Sequence, residues 1–408
     1  MTRRWIALAV ALTVAARLIL DVCVHVPTRV DGLNLAQLGT LISLAVFGAA
    51  ALSGAARLPR LAVVISVGWA VLLAVGWCRS GAHGASAAWL RYSSGPLVAL
   101  AVAATWRDET RRVWSMATVL FGGAVAMFAI ARMGADGWVQ LHDTWRYVGP
   151  FDNLHALALS MGLVVGVATV VGLDASRPVS GRATAGCVAV LAFVPLAASA
   201  TRSGVVFAAS IVAVSLLARG RWRWAALGVA VTVAVTLAVP GLRQRSTELV
   251  LAVVGVAPEE GWVWLGTGRI AIWTRSLTAF RELEGVDQAL GMGGAGYELF
   301  WKGKEPHSEY LALLYQFGVP GPVWFVVTAG TALRGLWRGR AKPVAPLLIA
   351  LVVATLLTSA IGSTLLVRLT VSWAFWVAVG CGWAWSAESP RAFGHRDTGF
   401  GHAHVPPS

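Results

Sequence analysis

Few side chains in this sequence could do chemistry, and one group of them has a pattern. In HSEYLALLYQFGVPG, His307 to Gly321, a His and a Ser precede nine residues and then Gly318-x-x-Gly321. Pro306 suits the first turn of a helix, where the N–H it lacks has no partner in any case. The spacing therefore predicts a helix that begins near Pro306, carries His307, Glu309, Tyr310 and Leu313, and is broken by Gly318. His307 then sits beside the positive end of the helix macrodipole, which disfavours imidazolium. A neutral imidazole is what a general base requires; the plainer alternative is a His that only begins a helix.

Arg202 is the second feature. It lies in the turn Thr201-Arg202-Ser203-Gly204, between two apolar stretches and too short to leave a membrane surface. Arginine at apolar depth costs about 2.5–3.5 kcal/mol at a helix centre on insertion scales. Its presence points either to an anion it must meet or to snorkelling toward lipid phosphates.

The elements that must position these residues are apolar helices. Hydrophobic residues make up 57% and charged residues 13% of the 408, and mean hydropathy is +0.70. Soluble domains carry about 25% charged residues, so the composition excludes an ordinary soluble enzyme and predicts an all-α integral membrane protein. Spans of about 20 apolar residues recur at Trp5–Val26, Leu33–Ala56, Leu61–Cys78, Trp89–Trp106, Val113–Met133, Asn153–Leu173, Thr184–Ala200, Ser203–Ala218, Ala225–Leu242, Val319–Trp337, Val344–Ile361 and Leu365–Ser386. The organisation read from them is about twelve transmembrane helices, nine in residues 1–240 and three in 319–386. A large, partly helical extracytoplasmic loop occupies 241–318, and a polar, disordered tail 387–408.

The net charge of +14 is a topology signal rather than a nucleic-acid footprint. With the N-terminus inside, the cytoplasmic segments hold 17 Lys and Arg and the short outer loops five: Arg29, Arg79, Arg91, Arg146 and Arg202. Such asymmetry is the positive-inside rule, and it predicts both termini in the cytoplasm with residues 241–306 outside. That loop balances seven basic against eight acidic residues, so individual arginines matter there more than bulk attraction. MTRRW before an apolar run reads as an uncleaved first helix. Cys23, Cys78, Cys187 and Cys381 lie singly in separate spans, which gives no basis for a disulfide or zinc site. Within the first span Arg17 and Asp21 stand i,i+4 and are expected to pair.

In the loop, Ser246–Val256 and Thr267–Leu283 read as helices. The second would turn Ile270, Ile272, Trp273, Leu277 and Phe280 toward the bundle or the lipid interface.

The His/Gly segment resembles the signature of the O-antigen ligase family, whose fold is shared with O-antigen polymerases. Three more regions are similar to that family: RYVGPFDNLHALAL, Arg146–Leu159; TRSG, Thr201–Gly204; and GTGRIAIWTRSL, Gly266–Leu277. The resemblance covers Arg146 to Gly321. It implies a metal-independent, inverting glycosyltransferase in the bacterial inner membrane, without cofactor. Such an enzyme moves a preassembled glycan from undecaprenyl pyrophosphate to a lipid or glycan acceptor, such as lipid A–core, on the periplasmic face. His307 would then be the base. Arg202 and Arg269 would meet the pyrophosphate, since the guanidinium fork suits phosphate oxygens. Arg146 and Tyr310 are weaker substrate-binding candidates, with interface anchoring and core packing as their alternatives. No D-x-D or His/carboxylate cluster with metal spacing occurs in the loops. Ligase and polymerase stay open on these residues. A transporter or lipid flippase is the competing class, against which stand the long outer loop and the lack of paired interrupted helices.

Overall fold

The computed structural model of the protein describes residues 3–23, 34–80, 85–134, 137–141, 144–151, 153–238, 243, 272–293, 308–361 and 369–388. The first helices are α1 (Arg3–Val22), α2 (Leu35–Ser53), α3 (Arg60–Ser80), α4 (Ala85–Thr105) and α5 (Asp108–Arg132). A hairpin of β1 (Trp138–Leu141) and β2 (Thr144–Tyr147) follows. Then come α6 (Leu154–Gly172), α7 (Val179–Ala198), α8 (Arg202–Ala218) and α9 (Trp222–Ala238). The next two helices are α10 (272–281) and α11 (Gly285–Leu290). The last are α12 (Glu309–Phe317), α13 (Pro320–Arg338), α14 (Ala345–Ile361) and α15 (Leu369–Ala387).

A helix stands at each of the twelve apolar stretches, and α1, α2, α3, α5, α6 and α7 are long and apolar enough to cross a membrane. Helices α6 and α15 are apolar on every side and buried along almost their whole length, as a helix at the centre of a bundle must be. Around them, α2, α3 and α9 turn Ile42, Val64, Val71, Leu227 and Val231 outward, an apolar surface of the kind that lipid covers. The backbones at the centre come close. A Cβ on Gly162 would stand 2.5 Å from the Gly204 carbonyl oxygen, and one on Gly335 1.8 Å from that of Gly382. These contacts bring α6 onto α8 and α13 onto α15, the small-residue packing common between membrane helices.

Arg17 and Asp21 pair as expected, at 2.7 Å, and both are largely buried. Arg17 also donates to the Thr40 hydroxyl at 2.7 Å, and Thr370 donates to Asp21. One polar group thereby ties α1, α2 and α15 together.

The bundle has two distinct ends. At one, Arg4 pairs with Glu109, Lys342 with Glu388, and Arg177 reaches Ser115. The opposite end carries the β-hairpin, α10, α11 and α12, with Arg79 at the end of α3 bridged to Asp287 of α11. The hairpin is absent from the sequence expectation of an all-α chain. Its register pairs Val139 with Arg146, and the adjacent apolar Trp138 and Val139 break the period-two pattern in β1.

Candidate active site

Helix α12 lies within the described part of the His/Gly segment, residues 308–321. Ser308 is its N-cap, with φ −154° and ψ 124°, so the helix proper begins at Glu309. This corrects the expectation that it begins near Pro306, because an extended residue at the cap ends the helical run on that side. His307 and Arg269 lie outside the described residues, as does the expected helix Ser246–Val256. Gly318 ends α12 as expected, with φ +64° and ψ −164°, a region open to glycine alone.

Both motif glycines meet backbone. A Cβ on Gly318 would stand 2.5 Å from the Ala289 carbonyl carbon, and one on Gly321 2.6 Å from the Leu313 carbonyl oxygen. Gly318 therefore turns the chain against α11, and Gly321 lets α13 begin directly beside α12. Backbone hydrogen bonds complete the joint: Val319 N–H donates to Gln288 O at 3.0 Å, Met292 N–H to Tyr315 O at 2.8 Å, and Gly293 N–H to Gln316 O at 3.1 Å.

Side chains hold α12 from its other faces. Phe317 packs edge-on to Trp69 and Tyr92, with ring centroids 6.5 and 5.6 Å away. Tyr315 packs on Phe280 and donates to the Ser276 carbonyl at 2.7 Å. Helix α10 thus turns Ser276 and Phe280 inward. Leu277, which the sequence pattern groups with Phe280 on a face toward the bundle or the lipid interface, is exposed. Ser276 and Phe280 stand four positions apart, about one turn, and Leu277 falls beside that stripe.

Glu309 is a residue that sequence reasoning gave no role. It is fully buried and accepts a hydrogen bond from the Tyr92 hydroxyl at 3.2 Å. In the sequence a Glu in a first helical turn reads as an ordinary favourable charge. What makes it notable is Tyr92, 217 residues away on α4, which no local pattern could reveal. A carboxyl buried two residues after His307 is well placed to hold this helix start against the bundle.

Tyr310 donates to the Leu356 carbonyl at 3.3 Å and packs on Phe325, and burial pushes its phenol pKa up. This is the packing alternative raised for it. Arg202 is the first residue of α8, half-buried, after a tight turn in which Ala200 takes φ +48°. The Ser215 hydroxyl of α8 donates to Pro346 O of α14 at 3.3 Å, and the C-cap Arg219 shares a cleft with Val344 and Leu347, so the two helices run antiparallel. Counting back at ~1.5 Å per residue, Arg202 stands at the same end as Leu356, and hence as Tyr310.

Arg146 is buried, with 6% of its surface exposed. Its guanidinium is enclosed in protein rather than held at an exposed surface. Its hairpin is fixed by Tyr147, which donates to Ala129 O at the end of α5. The next motif residues have structural work as well. Gly149 turns at φ +62°, Phe151 is buried, and the Asn153 side chain caps α6 by accepting from Ala156 N–H at 2.9 Å. The end that carries α12 thus also carries Arg146 and Arg202. Among the described residues, no three His, Cys, Asp or Glu side chains gather closely enough to hold a metal ion.

The chain matches no protein-family model, and it matches no curated protein sequence.

Proposed function

We propose that the chain is a membrane-embedded glycosyltransferase of the O-antigen ligase type. It transfers a preassembled glycan from undecaprenyl pyrophosphate to an acceptor hydroxyl, on lipid A–core or a similar acceptor. In this reading the twelve helices cross the bacterial inner membrane, both termini are cytoplasmic, and the end carrying α12 faces the periplasm. The arginine-rich end then lies on the side that the positive-inside rule assigns to the cytoplasm.

The observation that carries the reading is the spacing His307-Ser308, nine residues, Gly318-x-x-Gly321, in which each glycine fills a place where a side chain would meet backbone. His307 takes the proton from the acceptor hydroxyl. Arg202 and Arg269 meet the charge that develops on the leaving pyrophosphate, with Arg146 as a further guanidinium at the same end. Glu309 and Tyr92 hold the start of α12 in place.

The test uses purified full-length protein with an undecaprenyl-pyrophosphate glycan, with and without lipid A–core. A single product on the core supports a ligase, and a ladder without core supports a repeat-unit polymerase of the same fold. No product under either condition overturns the proposal and returns the transporter reading.

A further inference from the structure

The arginine-rich end contains a small cleft, with about 10 Å³ of enclosed room, between α5, the α6–α7 turn, the end of α8 and the start of α14. Its polar rim is Arg112, Ser115, Asp174, Arg177 and Arg219, and Val344 and Leu347 form part of its apolar wall. Three guanidiniums from three separate elements thus face one carboxylate.

The acids at this end are already engaged. Asp108 is bonded to Arg111, Glu109 to Arg4, and Glu388 to Lys342. Asp174 accepts from the Ser176 hydroxyl at 2.7 Å and from Arg177 Nε at 3.4 Å. Burial alone would raise the Asp174 pKa. The Ser176 hydrogen bonds, with Arg177 and Arg219 nearby, outweigh it and hold the carboxyl below its usual range. Arg177 is further committed to the Ser115 hydroxyl at 2.7 Å. Arg112 and Arg219 are different: among the described residues, neither guanidinium has a hydrogen-bonded partner. Arg219 is half-buried, and burial works against its charge. A guanidinium held there with its donors open to a cleft is arranged for an anion from outside the chain.

We propose that this cleft binds a phosphate group. Guanidiniums on two sides of a cleft match the oxygens of one phosphate. The position at the helix ends fits the phosphodiester of an anionic phospholipid, whose headgroup lies at that level. Free phosphate offers the same oxygens without the lipid. The proposal does not depend on the function assigned to the opposite end.

The experiment titrates detergent-solubilised full chain with dihexanoyl-phosphatidylglycerol, dihexanoyl-phosphatidylcholine or inorganic phosphate and reads the thermal unfolding midpoint. A saturable rise with phosphatidylglycerol is expected, with apparent affinity weakened at least tenfold by Arg219→Gln and by Arg112→Gln. Arg182→Gln, an exposed arginine at the same end but outside the cleft, should leave the affinity unchanged. If inorganic phosphate saturates with the same pattern of variants, the site stands and its source is free phosphate. If Arg219→Gln lowers the midpoint without ligand, the exposed Arg112→Gln decides. Wild-type affinity in Arg112→Gln, equal weakening by Arg182→Gln, or no saturable effect of any probe overturns the proposal.

Discussion

Substituting Gly318 by alanine tests how the motif segment is held. Gly318 has φ +64° and ψ −164°, a conformation that costs an L-residue about 1–3 kcal/mol. Its new Cβ would stand 2.5 Å from the backbone of Ala289 and 2.7 Å from Gln288 O. Neither neighbour is the free end of a flexible side chain, so about 1–3 kcal/mol of overpacking adds to the strain. The least costly relief is local. The α11 segment lifts from the end of α12, giving up the bonds from Val319 to Gln288, Met292 to Tyr315 and Gly293 to Gln316. Local opening of this kind is read by hydrogen exchange. A shift of about 2 kcal/mol, the low end of the sum, is roughly a thirtyfold gain in exchange where each 1.4 kcal/mol is tenfold. The gain should be confined to peptides covering 285–293 and 315–319, while α6 and α15 keep their protection. Gly330→Ala is the control. It lies inside α13 with nothing within 4 Å of the added Cβ, so it should stabilise by up to about 1 kcal/mol and leave the joint unchanged. Wild-type exchange at 285–293 in Gly318→Ala would refute the reasoning, because it would mean that the glycine is not needed for the joint.

Other expectations follow from single contacts. Asp21→Asn removes the charge facing Arg17 in a pair whose side chains are 7% and 15% exposed. It should cost about 3–5 kcal/mol, seen as a lower midpoint of thermal unfolding and largely recovered in Arg17→Met/Asp21→Leu. Tyr92→Phe deletes the donor to the buried Glu309 and should cost about 1–3 kcal/mol while lowering glycan transfer; an unchanged midpoint with full transfer would remove this bond from the account. Since the proposed chemistry rests on a base and guanidiniums, transfer should persist in EDTA, and loss of activity restored by a divalent ion would contradict it.

Much of the architecture was legible because a helix apolar enough to cross a membrane shows in sequence as a long apolar run. Each of the twelve runs became a helix, with ends displaced by a few residues where capping rather than hydropathy decides. Asn34 and Asn153 are such ends, each accepting from a backbone N–H three residues on. Ser308 is another, and it moved the start of α12 past His307. Gly318 was readable as a break because only the backbone is at issue. The partners of α12 were not readable. Tyr92, Trp69 and Ser276 reach it from α4, α3 and α10, and such long-range pairings leave no trace in local periodicity. The same holds for the cleft of Arg112, Arg177 and Arg219, which in sequence are three more positive charges at one end of a bundle.

The account rests most heavily on His307 as the base that activates the acceptor. The direct measurement compares wild type and His307→Ala for glycan transfer from undecaprenyl pyrophosphate to lipid A–core, with both proteins purified and their unfolding midpoints matched. A placed general base contributes about 10²–10⁴-fold, so the variant should lose that much in rate while keeping the midpoint. Transfer by His307→Ala at close to the wild-type rate would contradict the account.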